Sequence, residues 1–117
     1  MRYKVSIQER TFQFGIRIIK MIKSLPKNPA GYAIGNQIVR SGTSIGANIC
    51  EAQDAVSKAD FIHGLNVSLK EARETEYWIK TIVASEILPK QKMALLLAEI
   101  EEIVKILRAS LKKLKSN

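Results

Sequence analysis

The hydrophobic positions of this chain recur at helical spacing in four stretches, with none of the sustained period-two alternation of a half-buried strand. The first stretch opens at Ser6-Ile7-Gln8-Glu9, which has the form of a capping box. Phe12, Ile16, Ile19 and Ile22 then form an apolar stripe, and Phe14, Ile18 and Leu25 widen it. Pro26 and Pro29 end the segment, because a proline ring removes an amide donor and clashes with the preceding turn. The second stretch carries Ile34, Ile38, Ile45, Ile49, Ala52 and Val56, the third Phe61, Ile62, Leu65, Leu69, Ala72, Ile79, Ile82 and Val83. The fourth starts at Pro89, a favourable first-turn residue, and continues on Met93, Leu96, Leu97, Ile100, Val104, Leu107, Leu111 and Leu114. Helices over about 6–25, 30–55, 58–86 and 89–115, joined by short connections, predict one all-α domain spanning 1–117. The expected architecture is an antiparallel up-down four-helix bundle.

Glycines complicate the second helix. Gly31, Gly35, Gly42 and Gly46 each cost roughly 1 kcal/mol relative to alanine inside a helix, so something must offset them. Gly35, Val39, Gly46 and Cys50 fall on one small-residue stripe, which predicts close helix packing; a kink near Ser41-Gly42-Thr43 is the competing expectation. Tyr32 lies beside that stripe, and Trp78 sits off the core stripe of the third helix. Leaving both in water would expose an apolar patch of a size typical of interfaces. The expectation is a closed homo-oligomer with Tyr32, Gly35, Val39, Gly46 and Trp78 at the subunit contact. Cys50 is expected as a small core residue, and Glu76, if half-buried, would need Arg40 or Asn48 as its partner.

Composition narrows the chemistry. A length of 117 residues, 46% hydrophobic and 26% charged, fits one folded domain and argues against wholesale disorder. A single cysteine excludes an intramolecular disulfide and a multi-cysteine zinc site. No apolar run approaches the roughly 18 residues of a membrane span, and Met1 to Arg10 lacks a secretory apolar core, so a cytoplasmic protein without a membrane partner is expected. Asp60 and His63 make half of a di-metal bundle motif, but with one histidine the second half cannot exist. Metal-independent helical ribonucleases need an arginine shortly before a catalytic histidine, and residues 56–60 hold none. No catalytic residue, metal or cofactor is therefore expected.

Charge points to partners. The 19 Lys and Arg against 11 Asp and Glu give +8, which favours a polyanion, nucleic acid by default. Residues 1–27 hold seven basic side chains and one acidic, and residues 105–117 hold five basic and none acidic. Arg10, Arg17 and Lys20 share one face of the first helix; Lys105, Arg108, Lys112 and Lys115 line one flank of the fourth. In an up-down bundle these segments are expected to converge into one phosphate footprint. The bland alternative is that they complement helix dipoles and keep the surface soluble. Aromatic residues are few, so contact should be to backbone or duplex shape more than to unstacked bases.

Three segments carry a resemblance. Ser44-Ile45-Gly46-Ala47-Asn48-Ile49-Cys50-Glu51-Ala52, then Ser57-Lys58-Ala59-Asp60-Phe61, then Ser68-Leu69-Lys70-Glu71-Ala72-Arg73-Glu74-Thr75-Glu76-Tyr77-Trp78 resemble the bacterial 23S ribosomal RNA intervening-sequence proteins, the S23 group. Order and spacing agree across two helices, most strongly from Ile38 to Ile82; Cys50-Glu51-Ala52 departs from the family's frequent Ala-Glu-Gly. The resemblance implies a four-helix bundle assembled as a ring-like homopentamer. It also implies kinship with the accessory protein of diversity-generating retroelements, a basic pentamer that works with a reverse transcriptase and nucleic acid. The resulting expectation is a non-enzymatic, basic, oligomeric nucleic-acid-binding protein, with RNA ahead of DNA. The alternative is a protein-interaction scaffold or accessory subunit that does not touch nucleic acid.

Overall fold

The computed structural model describes residues 6–116; Arg2 and Lys4, counted in the N-terminal charge, lie outside them. Four helices are present, α1 (Ile7–Ile22), α2 (Pro29–Ala52), α3 (Lys58–Ala84) and α4 (Lys90–Lys115), with no strand among the described residues. Three start on side-chain caps that satisfy otherwise orphaned amides. Ser6 Oγ accepts from the Glu9 amide at 3.1 Å, and Asn28 Oδ1 accepts from the Gly31 amide at 2.9 Å, just ahead of Pro29. Ser57 Oγ accepts from the Asp60 amide at 3.0 Å, while the Asp60 carboxylate accepts from the Val56 amide at 3.3 Å. Asp60 is thus a capping residue, and His63 is exposed beside it. At the end of α3, Glu86 takes the left-handed conformation (φ 60) and the Ile87 amide donates to the Ile82 carbonyl at 3.1 Å.

Each helix packs on the next, and α1 also packs on α4, so the four surround one core. Two side-chain bonds link α2 and α3: Ser68 donates to the Ile45 carbonyl, and the Thr75 hydroxyl donates to the Ser41 hydroxyl, both at 2.9 Å. These buried hydroxyls all have partners, so they fix the α2–α3 register without an unsatisfied polar group. The rest of the core is aliphatic, with Phe14 and Ile18, Ile38, Ile45 and Ile49, Ile79 and Ile82, and Met93, Ile100 and Ile103 fully buried. No described helix is long and apolar enough to cross a membrane.

Several expectations change here. The inward face of α1 is the Phe14–Ile18 stripe, whereas Phe12 is 59% and Ile19 42% exposed. The glycines of α2 explain the rotation. A Cβ on Gly42 would lie 3.0 Å from Ile18 Cγ1, and one on Gly46 would lie 3.2 Å from the Thr11 carbonyl oxygen and the Phe12 amide nitrogen. Glycine lets the two backbones approach closely enough for Ile18 to fill the seam. Gly46 is therefore a packing residue between α1 and α2. Gly35 is also buried inside the chain, with Leu25 Cδ1 3.4 Å from where its Cβ would be. α2 is a continuous helix through Gly42, without a break. It stops at Ala52, leaving Val56 93% exposed in the connection instead of in the core. Cys50 is exposed as well, because it lies on the side of α2 turned out from the core.

Candidate nucleic-acid interface

The basic side chains of α1 and α4 meet different neighbours. Arg10 makes a two-pronged contact with Glu99, Nε to Oε2 at 2.7 Å and Nη2 to Oε1 at 3.0 Å, and also pairs with Glu102. Arg17 reaches the same Glu99 at 3.4 Å. The fork geometry matches the planar guanidinium to the carboxylate and strengthens both bonds. Hydrogen bonds to Glu99 and then Glu102 hold Arg10 above its ordinary value; the bond from Arg10 holds Glu99 below the usual carboxylate range. These two arginines form the ionic seam between α1 and α4.

Lys105, Arg108, Lys112 and Lys115 form no ion pair among the described residues, and all four are exposed. At 100° per residue their mean direction lies about 130° around α4 from the Glu99–Glu102 edge. The stripe therefore faces away from α1, and the expected convergence of seven cations into one patch does not occur. Lys20 is exposed on α1 and has no ion pair among the described residues, but it stands apart from this stripe. Lys113 faces differently again, lining a cleft of about 390 Å³ with Ile7, Phe61, Leu65 and Leu114. Its neighbours Lys112 and Lys115 share the last turn of α4, where cations complement the helix dipole. Lys105 and Arg108 lie too far back for that role.

The remaining expected residues divide in the same way. Trp78 is part-buried against the core; its indole donates to Glu74 at 3.1 Å and its ring meets the Tyr77 ring edge-on, centroids 5.0 Å apart. Its polar handle is thus satisfied within the chain. Glu74 also pairs with Arg40, which holds it below the usual carboxylate range, with the Trp78 bond adding to the effect. Arg40 bridges to Glu71 at 3.2 Å as well, tying α2 to α3. Glu76 is half-buried but pairs with Lys80 at 3.0 Å and Arg73 at 3.9 Å on its own helix, in place of Arg40 or Asn48. Asn48 donates to the Ser44 carbonyl of α2. Tyr32 is exposed beside a cleft lined by Pro26 and Gly35, and Val39 is half-buried.

Sequence reasoning missed Glu99 and Glu102 as the groups that neutralise α1. The signal was present, since acids at i and i+3 on α4 can serve arginines at i and i+7 on α1 once the two helices are set side by side.

Comparison with known proteins gives a consistent picture. No curated protein matches this chain. A solved structure of a protein of unknown function from the S23 ribosomal protein family of Bacteroides thetaiotaomicron VPI-5482 is similar, with a TM-score of 0.86 and 39% identity. The match covers 92% of this chain and 99% of that one. The model of the 23S rRNA-intervening sequence protein family matches residues 3–109. With the family model covering nearly the whole of a four-helix chain, this protein belongs to the 23S rRNA-intervening sequence protein family.

Proposed function

We propose that this chain is an antiparallel up-down bundle that binds nucleic acid without catalysis, through the α4 stripe of Lys105, Arg108, Lys112 and Lys115, as part of a cytoplasmic homo-oligomer. The observation that carries the reading is the lack of any acidic partner for those four cations among the described residues, while Arg10 and Arg17 on α1 are neutralised. Cations left unpaired in a chain that pairs Arg10, Arg17, Arg40 and Arg73 can condense a polyanion and release its counterions. Ten residues of helix place the stripe over about 15 Å, the reach of a few phosphates along a backbone. RNA is favoured over DNA through the family to which the chain belongs, and backbone contact over base stacking because the stripe has no aromatic residue. Assembly as a ring of five follows the family pattern implied by the resemblance, and light scattering would then give five times 13.1 kDa.

The test is a fourfold reversal of Lys105, Arg108, Lys112 and Lys115 to Glu, measured against a structured RNA over a range of salt. The parent should lose affinity steeply as salt rises, with a log–log slope of about 0.7–0.9 per phosphate contacted. The variant should lose binding while its circular dichroism remains helical. Equal binding by a helical variant would make the stripe ordinary solvated surface.

A further inference from the structure

On its α2 side, the face of α1 turned away from the core is apolar along its middle and oppositely charged at its two ends. Phe12, Ile16 and Ile19 form its centre, and together with Gly46, Ala47 and Cys50 of α2 they line a groove of about 310 Å³. A second groove, of the same volume, continues from Phe12 and Cys50 to Ser6 and Glu9. Further along the same pair of helices, beyond Ile19, a cleft of about 190 Å³ is lined by Ile22, Lys23, Lys27 and Tyr32. Among the described residues, one end of the face therefore carries the acidic Glu9 and the other the basic Lys23 and Lys27. Glu9 and Lys23 each lie seven residues from Ile16, about 10 Å along the helix, and point within about 20° of its direction.

This pattern selects the occupant. A nucleic acid or an anionic lipid surface would meet Lys23 and Lys27 favourably but would be repelled at Glu9. A surface with the inverse pattern satisfies both ends, and this same face turned end for end has it. We propose that a second copy of the chain docks on the α1–α2 face across a two-fold axis at Ile16, with α1 antiparallel to α1. The Glu9 carboxylate of each copy then faces the Lys23 ammonium of the other, and Phe12, Ile16 and Ile19 are buried between them. The contact is isologous, the same patch serving both partners. It cannot be the contact that closes an odd-numbered ring, which must be heterologous, so it doubles whatever particle the other contacts build. The inference deepens the assembly part of the reading above and does not depend on the nucleic-acid part.

Charge exchange tests it. Glu9→Lys places Lys opposite Lys twice per contact, and Lys23→Glu places Glu opposite Glu twice. By light scattering at low salt, each single variant should have half the mass of the parent. The double variant Glu9→Lys/Lys23→Glu should regain the parental mass. An equimolar mixture of the two single variants should regain it too, because each then supplies the charge that the other lacks. Phe12→Arg leaves the charge pairs intact and should also halve the mass, with circular dichroism unchanged since the side chain is not in the core. A parental mass in either single variant, or a double variant that stays at half mass while helical, would overturn the proposal. Structured RNA titrated into the same variants reads the α4 stripe separately: retained binding with halved mass separates this contact from the nucleic-acid reading.

Discussion

Arg10 on α1 and Arg108 on α4 are the same side chain in two basic segments that the sequence presents as equivalents. Arg10 lies in a fork with Glu99 and has Glu102 as a second acceptor, so its charge is already matched within the chain. Arg108 stands exposed on α4 and, among the described residues, has no acidic group to meet. The first contributes to cohesion between helices, the second to the field outside the molecule. Net charge alone does not locate a polyanion site; what locates it is the charge remaining after internal pairing.

The contrast can be broken at Arg10. Arg10→Ala leaves Glu99 half-buried with only the longer contact to Arg17. The expected cost is about 1–2 kcal/mol, toward the low end for an abandoned charge partner because water reaches both groups. In thermal unfolding that corresponds to a Tm lower by about 4–8 °C, with the salt dependence of RNA binding unchanged. If the RNA slope falls and the melting temperature holds, Arg10 belongs to the interface and the division between the two arginines is wrong.

Much of the fold was legible because it rests on local signals. Ser6, Ser57 and Pro89 mark three helix starts, and the structure begins each of those helices at the following residue; Pro29, expected to end the first segment, instead opens α2 behind an Asn28 cap. The orientation of α1 was not legible. That helix has two apolar stripes, and periodicity cannot say which one faces inward when both repeat at helical spacing. The choice is made by Gly42 and Gly46 on α2, which admit Ile18 and the Thr11 backbone and leave Phe12 outside. The cation stripe of α4 was legible for the opposite reason, since it depends on one helix alone. The pairing of Arg10 with Glu99 spans 89 positions and exists only once α1 and α4 are adjacent.

At Arg108 the expected effect is smaller and of a different kind. Arg108→Ala should change stability by less than about 0.5 kcal/mol, as for a surface residue without partners. It should lower the salt slope of RNA binding by about 0.7–0.9, the share of one phosphate contact. Paired with Arg10→Ala, it makes a two-by-two comparison in which each variant moves one readout. A slope that survives Arg108→Ala but falls with Lys105→Ala would narrow the footprint toward the middle of α4.

The smallest effect concerns pH and isolates the ionic seam. Glu99 titrates below its ordinary value of 4.5 because Arg10 bonds to its charged form. A carboxyl lowered in the folded state adds stability that is complete above that ordinary value and is lost as pH falls through the lowered one. Arg10 is shifted upward, so its share would be lost only in strong alkali, far from this window. Comparing the parent with Glu99→Gln in urea unfolding from pH 7 to pH 3 cancels the other carboxyls to first order. The stability difference should be constant down to about pH 4.5 and then shrink as the parent's Glu99 becomes protonated. A difference that stays constant through pH 3 would mean that Glu99 contributes through shape or packing, and that α1 is held to α4 by something other than its arginines.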